Sequence, residues 1–135
     1  MTVAVGETAA WPAIPRAWRL AALVAWIAGM ATVALFSLSS QLGPPEGPGM
    51  DKIVHFLGYM TLALQAQPAF ATRRGALIAA LCMIPFGLVM EFGQDYVPGR
   101  QADGFDAMAN SIGALIGIAL APAFRRLCAR FVARR

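Results

Sequence analysis

Hydrophobic and polar positions alternate in long blocks along this chain. Residues Leu20 to Leu38 run without a charge, and counted from Trp18 the block is 21 residues. That is roughly 31 Å of helix at 1.5 Å per residue, which matches the ~30 Å hydrocarbon core of a bilayer. A secretory signal has a shorter apolar region of about 7–15 residues, so the block reads as an uncleaved transmembrane helix. Three more apolar blocks follow, at about 53–70, 75–91 and 104–124. The segment 39–50, SSQLGPPEGPGM, is a Gly/Pro-rich loop that cannot be helical throughout. Arg73 and Arg74 mark a tight turn, and Pro98-Gly99 punctuates the loop from Asp95 to Ala102. Pro85 falls inside the third block, where it removes one backbone hydrogen bond and predicts a kink. The pattern predicts one all-α domain over residues 1–135: a membrane bundle of four transmembrane helices with a basic tail at 125–135.

Composition supports this reading. Hydrophobic residues make up 59% and charged residues 13%, against about 25% charged in soluble domains. The net charge of +4 flanks the apolar blocks and forms no interleaved basic patch, which argues against nucleic acid. Cys82 and Cys128 stand in no CxxC or Cys/His spacing, so no zinc site or disulfide framework is expected.

Charge also predicts orientation. Arg16, Arg19, Arg73, Arg74 and the five tail arginines put nine basic residues on one side, against Lys52 and Arg100 on the other. The positive-inside rule then places both termini in the cytoplasm. Six of the seven acids fall on the outward side, Glu7 being the exception.

The outward ends carry the candidate chemistry. Asp51, His55 and Tyr59 are spaced i, i+4, i+8 and cover roughly 80° of one helix face. Asp106, Asn110, Gly113 and Gly117 lie within roughly 60° of one another on the fourth helix. Glu91, Gln94 and Asp95 share a face at the outer end of the third. Unpaired polar groups at bilayer depth cost several kcal/mol, so these stripes should turn inward and meet. Gly113 and Gly117 form a GxxxG pair, expected to bring the fourth helix close to a neighbour within the chain, with homo-oligomer contact possible but not required. Asp103 and Asp106 fit an N-cap and an acid in the first turn, and Arg100 is expected to pair with Glu91 or Asp106. The set Asp51, Lys52, His55, Tyr59, Glu91, Gln94, Arg100, Asp103, Asp106 and Asn110 is the candidate ligand-binding group. Carboxylates with one histidine suit acid–base work, with Glu91 and His55 as candidates, or a hard cation. No HExxH, P-loop or GxSxG motif is present, and the residues name no cofactor.

At these residues the chain resembles the VanZ-like family. The segments FSLSSQLGPP (Phe36–Pro45), DKIVHFLGY (Asp51–Tyr59) and EFGQDYVPGRQADGFDAMANSIGALIG (Glu91–Gly117) carry the likeness. They supply an Asp-Lys-x-x-His-Phe opening at Asp51, Lys52, His55 and Phe56, then Glu91 and Gln94, then Pro98-Gly99-Arg100. Asp106, Asn110, Gly113 and Gly117 complete the pattern. The resemblance implies a small multi-pass protein of the bacterial plasma membrane with a role in the cell envelope. The family takes its name from a protein linked to low-level teicoplanin resistance, a glycopeptide phenotype. Expected partners are the lipid bilayer and a lipid headgroup or lipid-linked envelope precursor. Binding, acid–base catalysis on such a precursor, and a structural role in a membrane complex all remain open at this stage.

The predicted topology has a direct test. Cysteines placed at Ser40 and Gln101 should react with an impermeant maleimide in intact cells, and one placed at Thr72 should not. Modification at position 72 would reverse the orientation.

Overall fold

The computed structural model describes residues 11–42 and 48–134. Residues 1–10, part of the Gly/Pro-rich loop at 43–47, and Arg135 lie outside the described set, and with them Glu7 and the Gly43, Pro44 and Pro45 of the family-like segment. Five helical segments occur: α1 (Arg16–Ser37), α2 (Met50–Ala69), α3 (Arg73–Leu81), α4 (Met83–Gln94) and α5 (Gly104–Ala133). They make four rods, because α3 and α4 are separated only by Cys82. That break has the cause expected from Pro85, which offers no N–H to the carbonyl four residues earlier. Pro85 then stands in the first turn of α4, where a missing donor is tolerated.

Among the described residues, three rods are long and apolar enough to cross a membrane: Arg16–Ser37, Arg73–Gln94 and Gly104–Ala133. The expected second span is not among them. α2 opens with Asp51, Lys52 and His55 and carries Gln65 and Gln67. It can do so because it is the central rod, packed on α1, α3, α4 and α5, so its polar groups meet protein. The outer surface is apolar instead. Val24, Leu35, Leu88, Val89 and Phe105 are all exposed, the pattern of a bundle facing lipid.

The centre is the α2–α5 contact. A methyl group added at Gly113 would lie 2.2 Å from the Phe56 carbonyl oxygen, and one at Gly117 would lie 2.7 Å from the Met60 carbonyl oxygen. Only glycine admits that approach, as in other small-residue helix interfaces. α1 is tied to α2 by the Trp26 indole, which donates to the Leu62 carbonyl at 3.0 Å.

Two sequence expectations change. Arg73 and Arg74 are not the turn but the first residues of α3, capped by Thr72, whose hydroxyl accepts from the Gly75 N–H at 3.1 Å. The basic tail is no tail over its described residues, because α5 continues to Ala133. Arg125 is 1% exposed. Its guanidinium donates to the carbonyls of Gln67, Phe70 and Pro12 and lies 4.7 Å from the centre of the Trp11 ring. It satisfies the terminal carbonyls that α2 cannot satisfy itself and places positive charge at the negative pole of that helix.

Gly113→Ala and Gly117→Leu should therefore open the α2–α5 seam. Each should lower stability by about 1–3 kcal/mol from overpacking alone, the leucine by more than the alanine. Thermal unfolding in detergent, followed by circular dichroism, measures this. An unshifted midpoint for both would contradict the close backbone approach.

Candidate functional site

The α2–α5 contact sets the site, because Phe56 against Gly113 puts His55 one position from the seam and Asn110 one turn before it. The histidine Nδ1 lies 3.0 Å from Asn110 Oδ1 and 3.2 Å from Glu91 Oε1. The Asn110 amide donates to the same Glu91 oxygen at 3.1 Å. Both neighbours of Nδ1 present acceptor oxygens, so Nδ1 carries the proton. Nε2 is then left for other work, with Asp106 Oδ2 the nearest acid at 3.8 Å. Glu91, Asn110 and Asp106 are buried, at 4%, 1% and 6% exposed. α2, α4 and α5 each contribute one part of this network, as their polar stripes predict.

Above it sits a cationic hub. Lys52 Nζ contacts Asp51 Oδ2 at 2.8 Å, Asp103 Oδ2 at 2.9 Å and Asp106 Oδ1 at 3.2 Å. Ligand atoms of these three acids lie within 4.8 Å of one another, a spacing that suits a cation; the lysine ammonium is the cation there. The hydrogen bond from Lys52 holds the Asp51 and Asp103 carboxyls below the usual carboxylate range. Bonds to Asp51 and Asp103 raise the Lys52 ammonium in turn. Asp103 also caps α5, accepting from the Phe105 N–H at 2.8 Å, as its position before the apolar block implies.

Arg100 departs from expectation. It pairs with neither Glu91 nor Asp106. Its guanidinium donates to the carbonyls of Ser39 at 3.3 Å, Phe36 at 3.0 Å, and Leu42, capping the end of α1 from outside. A tight turn presents it: Gly99 has φ of +80° and the Arg100 N–H donates to the Val97 carbonyl at 3.0 Å. With Pro98 before Gly99, this is a type II turn. Asp95 closes the loop by accepting from the Ala102 N–H at 2.8 Å.

Two cavities flank the network. A slot of about 260 Å³ opens between α1 and α2, walled by Val33, Phe36, Val54, Gly58 and Tyr59, with His55, Gln94 and Arg100 also on its lining. A polar cup of about 350 Å³ is lined by Asp51, Asp103, Asp106 and loop residues 99–102, again with His55, Gln94 and Arg100. These three residues join the two spaces. Of the sequence-predicted group, Glu91 and Asn110 are buried behind the walls, Lys52 lies part-exposed outside both linings, and the others line one or both cavities. Within the buried part, Glu91 Oε2 and the Tyr59 hydroxyl have no hydrogen-bond partner among the described residues.

A family model described as VanZ/LLP1 matches residues 11–125. The chain belongs to the VanZ/LLP1 family. No curated protein and no solved structure matches it. Family and apolar rods together make this a VanZ-like membrane protein, and the matched region contains the histidine network, the lysine hub, the capping loop and Arg125. Sequence reasoning missed the contribution of α1 to the slot and the role of Arg125. For Arg125 a signal exists: it continues the buried stripe Asp106, Asn110, Gly113, Gly117, Ala121 at three- and four-residue steps.

The lysine hub predicts a pH signature. A carboxyl whose pKa is lowered by folding contributes stability that is present above its unfolded pKa of about 3.9 and is lost as pH falls through the folded value. Lys52→Met should lower the thermal midpoint at pH 7. The gap to wild type should shrink toward pH 3 as Asp51 and Asp103 protonate. A gap independent of pH would remove the hub from the stability account.

Proposed function

We propose that this VanZ-like protein binds an amphipathic component of the cell envelope, with an apolar chain in the α1–α2 slot and a polar head in the adjoining cup. The observation that carries this is the junction: one apolar and one polar space meet at His55, Gln94 and Arg100. A lipid-linked molecule has that same division. The cup and the network behind it hold four acids, Asp51, Glu91, Asp103 and Asp106, against the cations Lys52 and Arg100. Arg100 spends donors on the α1 carbonyls. The excess of acid disfavours a multiply anionic head and favours a hydroxyl-rich or amine-bearing one. In this reading the site faces outward with both termini in the cytoplasm of a bacterial cell, and a link to glycopeptide resistance would run through occupancy of an envelope precursor.

A second reading has its own observation. His55 is oriented by Glu91 and Asn110 at Nδ1 and lines both cavities, the arrangement of a positioned general acid or base. The protein would then act on the bound envelope molecule.

Gly58 separates ligand binding from folding. It lines the slot, and a methyl group added there would meet nothing within 4 Å. Gly58→Phe should fill the slot while the fold is kept or gains stability, since glycine inside a helix costs roughly 0.5–1 kcal/mol relative to alanine. Native mass spectrometry of protein extracted with its surrounding lipid should show a retained lipid in wild type and its loss in Gly58→Phe. Equal retention in both would sink the slot as the site. Glu91→Gln tests the second reading: a catalyst should accumulate bound molecule unchanged, and a binder should show no difference in the molecules retained.

A further inference from the structure

At the opposite end of the bundle from the histidine network, a groove of about 530 Å³ lies between α1 and α5, walled by Ile14, Trp18, Ala22, Leu127, Phe131 and Val132. Its lining is almost wholly apolar. Trp18 and Phe131 meet edge to face inside it, with ring centres 6.2 Å apart. The turns that form its outer end carry Arg16 and Arg19 on α1 and Arg130 and Arg134 on and just beyond α5. None of these four makes an ion pair among the described residues. The described acids, Asp51, Glu91, Asp95, Asp103 and Asp106, all belong to the other end of the bundle or its loop. Of the other arginines on α5, Arg125 is occupied with backbone carbonyls and Arg126 donates to the Pro122 carbonyl at 3.2 Å.

A groove that takes hydrocarbon, rimmed at one end by arginines with no ion pair among the described residues, matches the chemistry of an anionic glycerophospholipid. The acyl chain removes apolar wall from contact with polar surroundings, and the phosphate meets guanidinium groups that have no acidic partner among the described residues. A zwitterionic lipid offers the same hydrocarbon but adds a cation among the arginines. We propose that this groove is a binding site for an anionic phospholipid of the phosphatidylglycerol kind, distinct from the slot beside His55. It rests on the chain being a membrane protein and not on the outward ligand.

Trp18 reports on its occupant. The full chain is placed in phosphatidylcholine nanodiscs doped with bromine-labelled phosphatidylglycerol or, in parallel, bromine-labelled phosphatidylcholine. Bromine quenches indole on contact, and subtracting the Trp18→Phe variant isolates the signal of Trp18. The labelled phosphatidylglycerol should quench this signal at several-fold lower doping than labelled phosphatidylcholine. Arg130→Gln and Arg134→Gln should each reduce that preference by up to about fivefold, the scale for one basic residue at an anionic lipid surface. Their helical circular dichroism should be unchanged, and Gly58→Phe should leave the preference intact. Equal quenching by the two lipids would overturn the proposal. So would a preference that survives loss of both arginines. Trp18 unquenched by either lipid would overturn it too, because the groove would then be covered by protein, either residues 1–10 or a second copy.

Discussion

The structure depends on the contact of two backbones. α2 and α5 meet where Gly113 faces the Phe56 carbonyl and Gly117 faces the Met60 carbonyl. In hydrocarbon there is no water to drive helices together, so association rests on packing, dispersion and weak Cα–H···O contacts that require short distances. The seam also aligns the polar residues. Asn110 is three positions before Gly113, and His55 is one position before Phe56. A shift of one turn along the seam would separate them by ~5 Å, and the histidine would lose its acceptors. Packing and chemistry are therefore the same constraint here.

Arginine solves a second problem in this bundle. A helix end leaves carbonyls without partners, and in a membrane protein these ends often face other helices and not water. Arg100 supplies donors to the end of α1 and Arg125 to the end of α2. Each comes from a distant part of the chain: Arg100 ties α1 to the loop between α4 and α5, and Arg125 ties α2 to α5. The planar guanidinium, with five donors in a fixed fork, can serve several carbonyls at once where a lysine would not. Lys52 does the complementary task at the other pole, where a compact ammonium gathers three carboxylates.

Much of this was legible in the residues. Apolar blocks announced the rods, and the i, i+4 spacing of Asp51, His55 and Tyr59 announced a face that turns inward. The stripe of Asp106, Asn110, Gly113 and Gly117 announced the seam. What was hidden has common causes. Charges suggest other charges as partners, so Arg100 was matched to Glu91 or Asp106, whereas its partners are carbonyls that every residue carries and no pattern marks. Counting Arg125 with the tail followed from a rule about loops, which treats arginines past an apolar block as solvated. α2 looked like an ordinary span because its central place, which makes its glutamines tolerable, is a tertiary fact. α1 is apolar on all sides, and nothing local shows which of its residues wall the slot.

The separation of charge between the two ends has an electrical consequence. Among the described residues, acids and the lysine hub sit at one pole with acid in excess, and arginines without ion pairs sit at the other, so the described bundle is a dipole along its helices. In a membrane that carries a voltage, each elementary charge moved across is worth roughly 2.3 kcal/mol per 100 mV. Turning the folded bundle over would drag several such charges through the field, besides the cost of passing them through hydrocarbon. A copy inserted with its arginines on the negative side would be held in place by that potential. Energised membranes would thus keep a uniform population, every copy presenting the same face.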